Sequence, residues 1–227
     1  TAEVVAAHNA VLVTTRAMGG FVFNKVKGIQ GKPTGFCKGP NVTVPVGAPC
    51  GSRIDLGGVF TAKAEGASKG VEFTIVYASH VNNAPDNLLS KAEREHLKAD
   101  GAIREYGPAT GFVVKFTNGL TAYLSGDTGI HSEMKTVVNE YHKAGLAVLN
   151  LGPNPGIFHS GAHAVNELIR PESVILTHVN EPATEGGKLR AKSQTARFIK
   201  ELKPDAYLAI SGRTMEFNGD SRCMSGC

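Results

Sequence analysis

The spacing of apolar and polar residues breaks the chain into many short elements. Val71–Tyr77 (V-E-F-T-I-V-Y) alternates with period two and is rich in β-branched residues, which predicts a strand running into Ala78-Ser79-His80. Gly111–Thr117 and Leu120–Leu124 are two more alternating runs, joined by Asn118-Gly119, the strongest short hairpin signal. The second run ends at Ser125-Gly126-Asp127-Thr128. Ser132–Lys143 places Met134, Val137, Val138 and Tyr141 on one face of an amphipathic helix. Leu146–Leu151 is a short buried strand with a Gly/Pro loop after it, through Gly156. Gly161–Ile169 is a helix stopped by Pro171, and Ser173–Thr177 is a strand delivering His178. Lys192–Leu202 is the last helix, ended by Pro204. Ala206–Ile210 and Thr214–Phe217 close as strands.

The N-terminal third is less regular. Glu3–Ala7 reads as a short β-type run, and Asn9–Met18 as a helix ending at Gly19-Gly20. Gly28–Pro49 reads as loop, with several Gly, four Pro and two Cys. Arg53–Phe60 holds a Gly57-Gly58 turn, Asn82–Asp86 is turn-like, and Leu88–Asp100 is a solvated helix. Hairpins in the middle and alternating strands and helices afterwards predict an α/β fold with sheets between helices. No composition shift marks a boundary. The expectation is one domain over 1–227, with Gly28–Pro49 as a loop insertion and 218–227 as a tail.

Composition narrows the function classes. With 227 residues, 41% hydrophobic and 19% charged, the chain can bury a core and is not of the disordered type. Its longest apolar runs, such as Leu146–Leu149 and Val174–Leu176, are far too short to span a bilayer. Thr1 opens no signal-peptide pattern, a picture that a removed signal would also leave. The net charge of +4 is scattered, Trp is absent and aromatics total 7%, so no nucleic-acid footprint is expected. The expected partner is a small-molecule substrate. The oligomeric state is not legible.

Four cysteines fall in two local couples, Cys37 with Cys50 and Cys223 with Cys227. Pairing within each couple implies an oxidising compartment, periplasmic or extracellular. Four free thiols in a cytoplasmic protein is the alternative. No Cys-x-x-Cys occurs, which argues against a zinc knuckle.

The candidate chemistry sits at strand ends. His80 follows Val71–Tyr77, Asp127 follows Leu120–Leu124, and His178 ends Ser173–Thr177. Residues far apart in sequence converge when their strands end on one rim of a sheet. Two imidazoles and a carboxylate suit zinc, manganese or iron(II). Such an ion lowers the pKa of bound water and makes a hydroxide nucleophile. Each residue also has a plainer reading: a hydrogen-bonded His, or an Asp capping the next helix. Asn154, in the loop after Leu146–Leu151, and His159, just before the next helix, are candidate substrate contacts. His159 and His163 also stand at i, i+4 spacing, which could bind metal. His131 is a further rim residue.

Gly107–Met134 (G-P-A-T-G-F-V-V-K-F-T-N-G-L-T-A-Y-L-S-G-D-T-G-I-H-S-E-M) resembles the core of the metallo-β-lactamase-fold hydrolases, and among them the branch around the ascorbate-phosphate lactonase relatives. The likeness continues through Leu146–Gly152, Gly161–Ile169 and Val174–His178, and Val71–His80 resembles the family strand that ends in a ligand histidine. The resemblance implies an αββα sandwich with the metals at one edge. It also implies that His80 binds one metal, that Asp127 bridges two, and that His178 binds the second. One or two zinc ions are the implied cofactor, with manganese or iron as alternatives. The family's first ligand motif, His-x-His-x-Asp-His, is absent. Thr1–Gly20 resembles the segment after it, so the chain is expected to lack the N-terminal part of the fold. The expected function is a metal-dependent hydrolase acting on an ester or lactone, an amide or a phosphoester. The alternative is a degenerate, non-catalytic binding module of the same fold.

Overall fold

The computed structural model describes residues 1–83, 89–105, 107–150 and 158–227, apart from the side chains of 158 and 159. The N-terminal third holds two helices, α1 (Ala2–His8) and α2 (Arg16–Gln30), and a small parallel sheet. The sheet consists of β1 (Val11–Leu12), β2 (Gly35–Phe36) and β4 (Cys50–Gly51), in the order β1-β4-β2.

This region departs from the pattern reading. Glu3–Ala7 is helical because Val5 and Ala6 pack with Val22, Phe23 and Val26 of α2. Short apolar runs do not separate strand from helix until tertiary packing decides. Asn9, with φ of 47°, ends α1, and Asn9–Met18 supplies β1 and the start of α2 instead of a helix. The helix then runs through Gly19-Gly20. Each interior Gly costs about 1 kcal/mol, whereas burying Phe23 and Val26 contributes about 1.5–3 kcal/mol apiece. A side chain at Gly19 would come within 3.3 Å of the Phe36 ring.

Among the described residues the main sheet has eight strands. In chain order they are β3 (Asn41–Val44), β5 (Val59–Ala64), β6 (Val71–Tyr77), β7 (Thr110–Lys115), β8 (Thr121–Leu124), β9 (Leu146–Leu149), β10 (Ser173–Leu176) and β13 (Asp205–Leu208). Their spatial order is β13-β10-β9-β8-β7-β6-β5-β3. Gly28–Pro49 is therefore not a loop outside the fold: β3 pairs in parallel with β5 and forms the sheet's edge. Two smaller hairpins follow, β11 (Thr184–Glu185) with β12 (Lys188–Leu189), and β14 (Glu216–Phe217) with β15 (Cys223–Ser225). The expected tail thus carries a paired strand. Both cysteine couples are joined, Cys37 to Cys50 and Cys223 to Cys227.

Period-two alternation assigns the faces of the parallel half. Tyr123, Ala147, Leu149, Val174 and Leu176 point to one face, where they meet Met134, Val138, Val165, Ile169 and Phe198. These five belong to helices Met134–Tyr141, Ala164–Ile169 and Gln194–Glu201; the first two are wound with π-type hydrogen bonds. Ala122 and Leu146 face the other way, packing with Leu120, Ile175 and Phe217. Helix α3 (Lys91–Asp100) buries nothing and is fixed at its start by a Ser90/Glu93 capping box, in keeping with a solvated helix.

Strand direction places the site. β6 is antiparallel to β7 and β7 to β8, while β8, β9 and β10 are mutually parallel. So β6, β8, β9 and β10 all run the same way, and their carboxyl ends share one edge of the sheet. Ligand sites of open α/β sheets lie at that edge.

Candidate functional site

His80, Asp127 and His178 meet at this edge. The Nε2 atoms of His80 and His178 lie 3.3 and 3.7 Å from the same oxygen, Oδ2 of Asp127. The other carboxylate oxygen, Oδ1, accepts a short hydrogen bond from the Asn150 amide. Asn150 is held in turn by Ser125, which is 1% exposed: Ser125 Oγ stands 3.2 Å from Asn150 Oδ1 and accepts the Asn150 N–H at 3.2 Å. Each of the four residues follows a different one of the co-directional strands.

The loops that carry them are pinned locally. Gly126 takes φ of +63°, and a side chain there would meet the Thr110 carbonyl oxygen at 2.7 Å. That turn is what brings Asp127 to the rim. Thr128, buried, accepts the Ser79 N–H at 2.8 Å, and the Gly129 N–H donates to Ser79 O at 2.9 Å. Those two bonds clip the His80 loop to the Asp127 loop. Thr177 donates its N–H and its hydroxyl to Leu149 O, at 2.8 and 3.1 Å. His178 itself has φ of 52°, a conformation that costs energy for a non-glycine residue and that clusters at functional sites. The His80 Nδ1–H donates to Val81 O at 2.5 Å, which leaves the lone pair on Nε2, the atom facing Asp127.

Gly126→Ala is accordingly expected to destabilise the fold by ~2 kcal/mol or more, because both the backbone and the space oppose a side chain. Thermal melts check it; an unshifted Tm would show that this turn is not constrained.

Among the described residues no group of three or more His, Cys, Asp or Glu side chains is placed, as it stands, to hold a metal ion. The two spacings to Asp127 Oδ2 are nevertheless close to those around a shared ion. Ligand atoms 2.0–2.2 Å from a tetrahedral zinc stand about 3.3–3.5 Å apart. His80 has that spacing to Asp127 Oδ2, and His178 is slightly farther. The three side chains are 42%, 53% and 59% exposed for His80, Asp127 and His178, so none is locked in place by packing. Both rings address Oδ2 and Asn150 takes Oδ1.

Two clefts flank Asp127. One, of about 330 Å³, is lined by Ser125, Gly126, Asn150, Thr177 and His178. The other, of about 270 Å³, is lined by Thr14, Thr15, Met18, Asn82 and His80. The segment after β1 thus reaches the site, and its lining residues are neither imidazole nor carboxylate.

The remaining candidates divide. Asn154 and the His159 side chain lie outside the described residues. Helix Phe158–His163 already includes His159, so this residue begins the helix instead of preceding it. His131 packs edge-on against Tyr77, with ring centroids 5.2 Å apart, and its ring nitrogens are buried without hydrogen-bond partners among the described residues. Burial pushes its pKa down, against an upward pull from Glu133. Sequence reasoning missed Asn150 as a partner of Asp127. Its place directly after β9 is the same signal that singled out Asp127 after β8.

An α/β sheet with imidazole and carboxylate groups gathered at the carboxyl ends of its strands is the arrangement that the resemblance to the metallo-β-lactamase-fold hydrolases implies. A solved metallo hydrolase, Igni18 of the archaeon Ignicoccus hospitalis, has a similar fold, with a TM-score of 0.51 and 18% identity over 91% of this chain and 68% of its own. The chain belongs to the UPF0173 metal-dependent hydrolases. It is 30% identical over 167 residues to the one from Natranaerobius thermophilus, covering 70% of this chain and 69% of the relative. It is 27% identical over 171 residues to the one from Methanobrevibacter smithii, covering 74% of this chain and 62% of the relative. The match to the Polaromonas relative, 32% identical, covers 43% of this chain and 37% of that protein. The chain thus spans less than two thirds of the last two relatives. No family model matches it.

Proposed function

We propose that this protein is a metal-dependent hydrolase of small molecules in which His80, Asp127 and His178 hold one divalent ion, zinc, manganese or iron(II). The observation that carries the reading is the approach of both imidazole Nε2 atoms to one carboxylate oxygen. When bound, the ion activates water for attack and stabilises negative charge developing on the substrate. The chain's own groups do the rest. Val81 O fixes the His80 tautomer, Asn150 holds Asp127 by Oδ1, and the two clefts on either side of Asp127 receive the substrate. The bond cleaved is an ester or lactone, an amide or a phosphoester; fold alone does not choose among them.

Zinc titration of the metal-depleted chain by calorimetry tests the reading. One ion per chain is expected, with binding lost in His178→Ala. An absence of stoichiometric binding would favour the degenerate binding module instead. Asn150→Ala frees Oδ1 and lets the carboxylate turn, so it is expected to weaken zinc binding about 10–100-fold, as outer-shell changes do. The same titration reads that change. Unaltered affinity would reduce Asn150 to a loop residue.

A further inference from the structure

We propose that the N-terminus of α2 and the Thr15 hydroxyl form a cradle for an oxyanion, the phosphate or carboxylate group of the substrate, on the His80 side of Asp127. The proposal deepens the hydrolase reading and rests on it for the identity of the ligand as substrate.

Helix α2 has fifteen residues, and the first amides of a helix have no acceptor within it. Two of the first-turn amides are taken: Arg16 N–H donates to Asp55 Oδ1 at 3.2 Å, and Gly19 N–H to Thr15 O at 2.8 Å. The Ala17 and Met18 amides have no acceptor among the described residues. Thr15 is the N-cap, yet its side chain makes no capping bond. It is 2% exposed and lines the 270 Å³ cleft beside His80 and Asp127. Its hydroxyl makes no hydrogen bond to a described residue and is not itself enclosed, so it is open to a ligand entering from the cleft. The approach to the helix is rigid. Ser52, fully buried, accepts the Thr14 N–H at 3.0 Å and donates to Thr14 O at 2.8 Å.

Thr15 and Met18 both line this cleft, at the positive end of the helix dipole, and the Ala17 amide between them is also without an acceptor among the described residues. That chemistry selects an anion. Asp127 borders the same cleft and would repel an anion, so the anion sits at the α2 side of the cleft, away from that carboxylate. An anionic end seated at α2 brings the neighbouring bond of the substrate up to Asp127.

The test is an amide-resolved NMR titration of the full, metal-free chain with inorganic phosphate, repeated with acetate. Saturable shifts at the Ala17 and Met18 amides are expected, and the tighter of the two anions names the group. Thr15→Val keeps the β-branched shape and removes the hydroxyl; it is expected to weaken binding at least about tenfold. Ala17→Pro, which removes one donor in a turn that tolerates proline, is expected to weaken it as well. The proposal is overturned if neither anion shifts those amides saturably, or if Thr15→Val binds as tightly as the parent. Zinc binding is measured separately, so a failed cradle leaves the metal reading standing and a failed metal reading leaves the cradle measurable.

Discussion

Asp127→Ala is expected to lose the bound ion and, with it, hydrolysis, a far larger effect than the ~10–100-fold cost of an outer-shell change. Asp127 is the hub of the site: His80 and His178 both address its Oδ2, and Asn150 holds its Oδ1. No other described carboxylate shares the two clefts. The side chain is 53% exposed, so removing it is expected to leave stability within about 0.5 kcal/mol. Metal content, turnover and Tm, measured together, separate the two effects. Full metal content with unchanged turnover in the variant would leave Asp127 as a turn residue.

The second large effect is on stability. Replacing Cys37 and Cys50 by Ser is expected to cost ~3 kcal/mol, the chain-entropy value for a loop of this size. The cysteines are 13 positions apart, and the segment between them carries the edge strand β3. That strand has no deep core of its own: its residues are half-buried or exposed. For a chain of this length the loss corresponds to a fall in Tm of roughly 6–12 °C. Thermal melts of the double variant check it, and non-reducing peptide mapping checks the bond itself. On the same ground we propose export to an oxidising compartment, periplasmic or extracellular. Recovery of Cys37 and Cys50 as free thiols would return the protein to the cytoplasm.

The middle and C-terminal parts of the fold were legible because local signals and packing agree there. Asn118-Gly119 makes the β7–β8 hairpin, and the alternation of Val71–Tyr77 is the pleat of β6. His80, Asp127 and His178 stood out because polar residues directly after apolar runs become rim residues when the strands run the same way. The N-terminal third was misread where tertiary packing overrules local preference. Val4-Val5 suggests a strand but Val5 is buried against α2, and Gly19-Gly20 suggests a stop but lies inside a helix anchored by Phe23 and Val26. The Asn150–Asp127 contact links positions 23 apart, and Thr15 becomes a cleft residue through the placement of α2. Neither relation has a period or motif to announce it.

The central claim is that one ion sits between His80, Asp127 and His178. Anomalous diffraction at the zinc edge from zinc-loaded crystals tests it most directly. The account predicts one peak per chain, ~2.0–2.2 Å from the two Nε2 atoms and Oδ2. A peak elsewhere, a second peak of equal height bound through Asp127 Oδ1, or no peak at this edge of the sheet would contradict it.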